Sequence, residues 1–251
     1  MKFLNSEFGF NKVFIMNQDV AWARATTDIM KDLYKKMGWE VVGEATFPVG
    51  ASDFAPALMK AKTSGAQVIL PVFDMPQSGV LVKQWRSMQI PVLMAGFVSP
   101  LVGPSAWKTF EGKIGGFINS VFEIGNLPTE KYPAAKAFYE KYKAKYGVEI
   151  EAGHGPAPSY VSVYLLKEAM EKANSTDPDA IVAALEQTNT DTVLGHVTFT
   201  KGHQAVFGND PAKEALGCLF QWTEDGRRVI VYPDGLAEGK ITLPAGMKPA
   251  K

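Results

Sequence analysis

Short apolar runs and amphipathic stretches alternate along the first half of the chain. The apolar runs predict strands at residues 13–16, 41–47, 68–73 and 92–95. Between them, apolar residues recur at helical spacing and predict helices at about residues 21–37, 52–63 and 76–88. The run at 68–73 is continuously apolar, which is typical of a parallel strand covered on both faces. This alternation predicts an α/β fold with a parallel, doubly wound sheet.

The second of these helices carries a recognisable start signal. Ser52 is a residue type that commonly caps a helix N-terminus, and Asp53 would then lie in the first turn, where negative charge is favourable. Phe54, Leu58 and Ala61 follow at helical spacing. We therefore expect a helix that begins at Ser52 and buries this apolar stripe.

The pattern changes after residue 115. A fifth strand is predicted at 115–122, and three helices follow at about 134–146, 158–173 and 177–187 without a strand between them. Short strands are predicted at 197–200, 218–222 and 228–232, and the tail at 243–251 is expected to be loose. The three consecutive helices have no strands of their own to cover. The sequence therefore predicts that the sheet they pack on lies outside this chain.

Composition excludes several classes of protein. The 251 residues include 26 Lys+Arg and 26 Asp+Glu, so the zero net charge offers no basic field for nucleic acid. No apolar run approaches the ~20 residues that span a bilayer. The single cysteine, Cys218, excludes an internal disulfide and a cysteine-based zinc site.

Catalytic and metal-binding motifs are missing as well. The three histidines, His154, His196 and His203, lack the paired spacing of a metal site, and no phosphate-binding or nucleophile motif occurs. We therefore predict no catalytic residue, no metal, no cofactor and no enzymatic activity.

Several segments are similar to one known family. In the first half they are NKVFIMNQDVAWARA, FPVGASDFAPALMKAK and FDMPQSGVLVKQWR. In the second half they are GHGPAPSYVSVYLLKEAMEKANSTDPDAIVAALEQ and VLGHVTFT with LFQWTEDGR. In these segments and their order, over essentially its whole length, the chain resembles the branched-chain amino acid binding proteins. These are the type I periplasmic solute-binding proteins of ABC importers.

The resemblance implies a two-lobed type I periplasmic-binding-protein fold with chain crossovers between the lobes. Residues 1–118 would form the α/β part of lobe 2 and 119–195 a mostly helical return to lobe 1. Residues 196–235 would return to lobe 2, and 236–251 would form a C-terminal tail. The chain would then lack the N-terminal part of lobe 1, which we expect to precede Met1 together with a signal peptide.

Location and partners follow from the same resemblance. The first residues contain no signal peptide, because Asn5, Ser6 and Glu7 interrupt the apolar stretch. Similarity to the family nevertheless implies a periplasmic location and binding to the permease subunits of an ABC transporter. In the absence of the missing part, the orphan helices are expected to expose apolar surface and to favour self-association.

The family's motifs place ligand contacts after the first and third strands. Trp22 occupies the position of an aromatic residue that packs on the ligand, close to Asp19, although it equally suits a structural residue at the sheet edge. After the third strand, either Phe73 or Asp74 fills the position of a second ligand-facing residue. The alternatives are that Phe73 fills the core and that Asp74 caps the next helix.

The fourth strand is where this sequence departs from the family. Amino-acid binders resemble one another in carrying a carboxylate there for the ligand's ammonium group, but this chain has Phe97 and Val98, in a predicted loop. An ammonium group without a partner is costly to bury, so Asp74 or Asp19 would have to replace that carboxylate. His154, in a glycine-flanked loop, is a further candidate for ligand binding.

The resemblance thus implies the solute-binding component of an ABC importer, which closes on a small ligand between its lobes. The candidate ligands are an amino acid, an amide, or an aromatic or apolar carboxylate. The aromatic residues favour the last two over an aliphatic amino acid. The alternative is the ligand-sensing domain of a receptor or an amide-type regulator with the same fold.

Overall fold

The computed structural model describes all residues, Met1–Lys251, and the chain divides into two compact units. Unit 1 comprises Met1–Ser120, Phe220–Val229 and Lys240–Lys251, and unit 2 comprises Val121–Leu219 and Ile230–Gly239. No helix combines the length and the apolar character that crossing a bilayer would require.

The predicted helices and strands occur in the expected order, together with shorter elements that were not predicted. The helices are α1 (Lys2–Phe8), α2 (Ala21–Lys36), α3 (Ala55–Thr63), α4 (Gly79–Ser87), α5 (Ala106–Thr109), α6 (Pro133–Tyr146), α7 (Pro156–Ala173) and α8 (Pro178–Leu185). The strands are β1 (Lys12–Gln18), β2 (Glu40–Phe47), β3 (Val68–Phe73), β4 (Leu93–Val98), β5 (Ile118–Val121), β6 (Asn189–Thr192), β7 (Gly195–Thr198), β8 (Phe207–Gly208), β9 (Ala215–Leu216), β10 (Cys218–Trp222) and β11 (Arg228–Tyr232). Short 3₁₀ turns occupy Pro76–Ser78, Ser99–Leu101 and Ile124–Asn126.

A parallel sheet forms the centre of unit 1. The full sheet has the order β11-β10-β5-β4-β3-β1-β2, and β1 through β5 pair in parallel. All six residues of β3 are buried, as its continuous apolar run predicted. The chain order of the strands reverses between β1 and β3, because β2 lies outside β1 on one side and β4 follows β3 on the other. The predicted α/β class is confirmed.

The start of α3 differs from the prediction. The helix begins at Ala55, and Ser52 makes no cap. Instead, the Gln84 side chain in α4 accepts a hydrogen bond from Phe54 N (2.8 Å) and donates one to Ser52 O (3.1 Å). This contact holds Ser52 to Phe54 outside the helix, and so a tertiary contact overrides the local capping preference.

Unit 2 has its own small sheet, which the sequence did not predict. Its order is β6-β7-β9-β8, and residues of this sheet and its connections pack with Ala157 and Val161 of α7 in one apolar cluster. The prediction that the sheet lies outside the chain is thus wrong for the buried side of α7, whereas Tyr160, Val163 and Tyr164 of the same helix stay exposed. Strand β6 is the polar segment NTDT, and β8 and β9 have two residues each, so none shows an apolar strand pattern.

The boundaries of the units also differ from the expected ones. A return to the first unit was expected at residue 196, but β7 pairs with β6 and β9, and the chain stays in unit 2 up to Leu219. The tail expected to be loose returns to unit 1. There, Thr242 N and O both bond to the Gln221 side chain at 2.8 Å, and Ala250 N donates to Phe8 O at 2.7 Å.

Candidate functional site

The carboxyl ends of β1, β3 and β4 bring the unit 1 candidates to one edge of the sheet. The register aligns Asn17 with Val72 and Val72 with Phe97, so the residues that follow these positions leave the sheet at the same level. The point between β1 and β3 is the topological switch point of the sheet. In open α/β sheets the crevice at such a point is the usual place for a ligand.

Trp22 and Phe97 form an aromatic pair at this edge. Trp22 is the second residue of α2, and its ring lies 6.3 Å from that of Phe97 at an interplanar angle of 74°. Trp22 remains 37% exposed, which is unusual for so large an apolar side chain. The pair therefore offers accessible aromatic surface at the strand ends.

Two of the other candidates are core residues in the structure. Phe73 is fully buried and contacts Phe47 and Phe54, with ring centroids 6.0 and 5.8 Å away. Val98 is also fully buried. Of the alternatives at the end of β3, core filling therefore describes Phe73, and Asp74 is the exposed residue.

The position of Phe97 corrects a second expectation. Phe97 and Val98 were predicted to lie in a loop after the fourth strand, but they are its last two residues. The strand continues because Gly96 lets β4 approach β3: a Cβ at Gly96 would lie 2.4 Å from Pro71 O. At its end, the buried side chain of Asn119 bonds to both Val98 N (3.1 Å) and Val98 O (3.0 Å).

The two acidic candidates have different partners. Asp19 forms an ion pair with Arg24 in α2. Asp74 accepts a hydrogen bond from the amide nitrogen of Gln18, a neutral group. Gln18 is only 1% exposed, and its carbonyl oxygen accepts from both Asp74 N (2.9 Å) and Met75 N (3.1 Å). Sequence reasoning did not find Gln18, although a polar residue that ends a buried strand is a signal for such a role.

The remaining candidate, His154, lies in unit 2 next to a buried acid. Its Nδ1 is 2.7 Å from Glu123 Oε1, and its own side chain is 65% exposed. Burial raises the pKa of Glu123, while hydrogen bonds from His154 and Asn126 oppose that rise. Asn126 also accepts a bond from Ala157 N (3.0 Å) at the start of α7. Through Asn126, Glu123 thus links the exposed imidazole to the first turn of α7.

A groove between α6 and α7 is a concave surface of unit 2 that contains none of the predicted strand-end residues. It holds a cavity of about 470 Å³ lined by aromatic side chains that include Phe138, Tyr142 and Tyr160, with Lys141 and Lys145 beside them. None of the seven candidates from the sequence lines it. No three His, Cys, Asp or Glu side chains converge anywhere in a way that could hold a metal ion.

Comparison with known proteins gives consistent matches. A family model described as "Periplasmic binding protein" matches residues 1–210. The Leu/Ile/Val-binding protein homolog 8 of Brucella abortus (strain 2308) is 24% identical over 232 residues, which is 92% of this chain and 56% of that protein. The chain thus spans little more than half the length of this curated relative.

Solved structures share the fold. A putative branched-chain amino acid ABC transporter from Silicibacter pomeroyi superposes with a TM-score of 0.81 at 18% identity, covering 97% of this chain and 64% of that one. A solute-binding protein from R. palustris in complex with benzoate gives 0.70 at 12% identity, covering 98% and 63%. These likenesses confirm the type I periplasmic-binding-protein fold.

Proposed function

The chain belongs to the periplasmic binding protein family, and we propose that it is the solute-binding component of an ABC importer. In this role it captures a small organic molecule outside the cytoplasmic membrane, in the periplasm, and delivers it to the permease subunits of the transporter. It performs no chemistry on the molecule.

The observation that carries the proposal is the group of accessible side chains at the switch point of the sheet in unit 1. Trp22 and Phe97 supply aromatic surface there, and Asp74 supplies a carboxylate. Asp19 is paired with Arg24 and stays available as a polar neighbour. In unit 2, His154 is the residue we propose for ligand contact, because its imidazole is exposed and oriented by Glu123.

The fold alone does not select the ligand. One similar structure holds benzoate, and the curated relative is named for leucine, isoleucine and valine. The choice must therefore come from local residues. Because the last residues of β4 are Phe97 and Val98 and not an acid, we propose an aromatic or apolar carboxylate or an amide rather than an aliphatic amino acid.

Isothermal titration with benzoate, benzamide, phenylalanine and leucine tests this proposal. We expect the aromatic compounds to bind and Trp22→Ala to weaken them about three- to tenfold, the value of one aromatic contact. Trp107→Phe is the matched control, since Trp107 stacks on Trp222 at 5.8 Å instead. Tight binding of leucine with no binding of any aromatic compound would refute the proposed ligand class.

We also propose that this chain self-associates through the exposed apolar face of α7 in unit 2. Val163 is 68% exposed, and Tyr160, Tyr164 and Leu166 are exposed on the same helix. An exposed apolar patch of this kind usually marks a site where another protein molecule binds. Sedimentation velocity should show concentration-dependent dimers that Val163→Glu abolishes, while a monomer at all concentrations would contradict the proposal.

A further inference from the structure

We propose that Asp74, oriented by the buried amide of Gln18, selects a ligand that presents an N–H donor or a cationic nitrogen beside its aromatic ring. This inference rests on the proposed function and revises the ligand classes named there. It favours an aromatic amide over an aromatic carboxylate, and it adds aromatic amines.

The first step is the charge at the switch point. Two carboxylates, Asp19 and Asp74, follow neighbouring strands there. Asp19 pairs with the guanidinium of Arg24, so its charge is compensated within the protein. Asp74 receives a hydrogen bond at Oδ1 from a neutral amide and forms no ion pair within the protein. A ligand carboxylate placed near it would be repelled, whereas an N–H group would be attracted.

The second step is the orientation of Asp74. Gln18 is 1% exposed, and both the nitrogen and the oxygen of its side-chain amide bond to the segment Asp74–Met75. Its nitrogen donates to Asp74 Oδ1, and its oxygen accepts from Asp74 N (2.9 Å) and Met75 N (3.1 Å). The carboxylate and its backbone are therefore held by the same side chain. This leaves Oδ2 as the oxygen that can accept from a ligand.

The third step is the position of Asp74 relative to the aromatic pair. Asp74 directly follows β3, and β3 is hydrogen-bonded to β4 with Val72 opposite Phe97. Neighbouring strands lie about 4.8 Å apart, so a ligand ring on Phe97 and Trp22 brings its polar substituent within reach of the end of β3. Gln18 is thus a positioning residue, and Asp74 is the residue that contacts the ligand.

The test compares three probes of the same size that differ in charge and donors. Titration of the protein with benzylamine, benzamide and benzoate should show the first two binding at least about tenfold more tightly than benzoate, as expected for one charge-assisted hydrogen bond. The isosteric variant Asp74→Asn should remove most of that difference. Tighter binding of benzoate and weaker binding of benzylamine by this variant would both support the proposal.

Gln18→Glu tests the positioning role in a way that simple destabilisation does not reproduce. Two carboxylates in contact share a proton at low pH and repel each other once both ionise. Relative to the native protein, this variant should bind benzamide nearly normally at pH 5 and at least about tenfold more weakly at pH 8. Gln67→Glu is the control, because the Gln67 side chain also accepts from two backbone N–H groups, of Asn11 and Lys12, but bonds to no carboxylate.

The outcomes separate this inference from the proposed function. Benzoate binding as tightly as benzamide and benzylamine, or a Gln18→Glu variant without pH dependence, would overturn the role of Asp74 and Gln18 while leaving aromatic solute binding intact. No binding of any of the three probes would overturn both.

Discussion

Asn119 gives the sharpest structural test of how the end of β4 is held. Its side chain is fully buried and makes three hydrogen bonds, to Val98 N (3.1 Å), Val98 O (3.0 Å) and Ser120 N (3.0 Å). Each bond contributes about 1 kcal/mol, and buried backbone groups left without a partner cost a similar amount or more. We therefore expect Asn119→Ala to lower the free energy of unfolding of unit 1 by about 3 kcal/mol.

Urea denaturation followed by tryptophan fluorescence measures this loss directly. All five tryptophans lie in unit 1, so the signal reports on that unit: Trp22, Trp39, Trp85, Trp107 and Trp222. The exposed residue Asn11 provides the control variant Asn11→Ala, which should stay within about 0.5 kcal/mol of the native protein.

Asn119→Asp separates the hydrogen bonds from simple loss of volume. Burial raises the pKa of a carboxyl group at this position, and the protonated acid can still donate to Val98 O. Stability is then nearly native below the unfolded pKa of about 3.9 and falls as the pH rises toward the folded value. A loss below about 1 kcal/mol for Asn119→Ala, or an Asn119→Asp variant equally stable at pH 4 and pH 7, would refute this reasoning.

Three further predictions concern packing, a buried hydroxyl and a buried acid. Gly96→Ala should cost about 1–3 kcal/mol in urea denaturation, because its Cβ would lie 2.4 Å from a backbone oxygen. Gly202→Ala should be neutral, because its Cβ would meet only Thr200 Oγ1, at the ordinary contact distance of 3.7 Å. Tyr34→Phe should raise the melting temperature, because the buried Tyr34 hydroxyl has no hydrogen-bond partner, while Tyr132→Phe should lower it by removing a 2.6 Å bond to a carbonyl. Equal shifts for the two tyrosine variants would contradict this. Burial raises the pKa of Glu123, so the stability that Glu123 contributes is largest below its unfolded pKa and is lost as the pH rises. The Glu123→Gln variant should therefore become more stable relative to the native protein between pH 4 and pH 7. A difference in unfolding free energy that stays constant over this pH range would contradict the prediction.

Local signals in the sequence predicted elements well where no tertiary contact intervened. The last predicted helix was expected to begin at about residue 177, and Asp177 caps α8 by accepting from Ala180 N at 3.1 Å. Ser52 has the same capping character, but Gln84 from another helix determines where α3 begins. The small sheet of unit 2 was missed because two of its strands have only two residues, too few for any periodicity.

The candidate site was predictable only in part, for a related reason. Trp22, Asp74 and Phe97 lie at the ends of β1, β3 and β4, which are neighbours in the sheet, and the apolar runs predicted these three strands. Register and packing decide which side chain points into the core, so the sequence alone could not decide that Phe73 is buried and Asp74 exposed. Gln18 was missed because its role consists entirely of long-range hydrogen bonds.

The indole N–H resonances of the five tryptophans offer the most direct test of ligand binding at the switch point. A ¹H–¹⁵N spectrum, assigned with Trp22→Phe, is recorded while benzamide is added. The Trp22 resonance should shift, while that of Trp85, which is buried and donates to Val92 O at 2.9 Å, should stay in place. A Trp22 resonance that does not move with benzamide, benzylamine or benzoate would contradict binding of an aromatic solute at the ends of β1, β3 and β4.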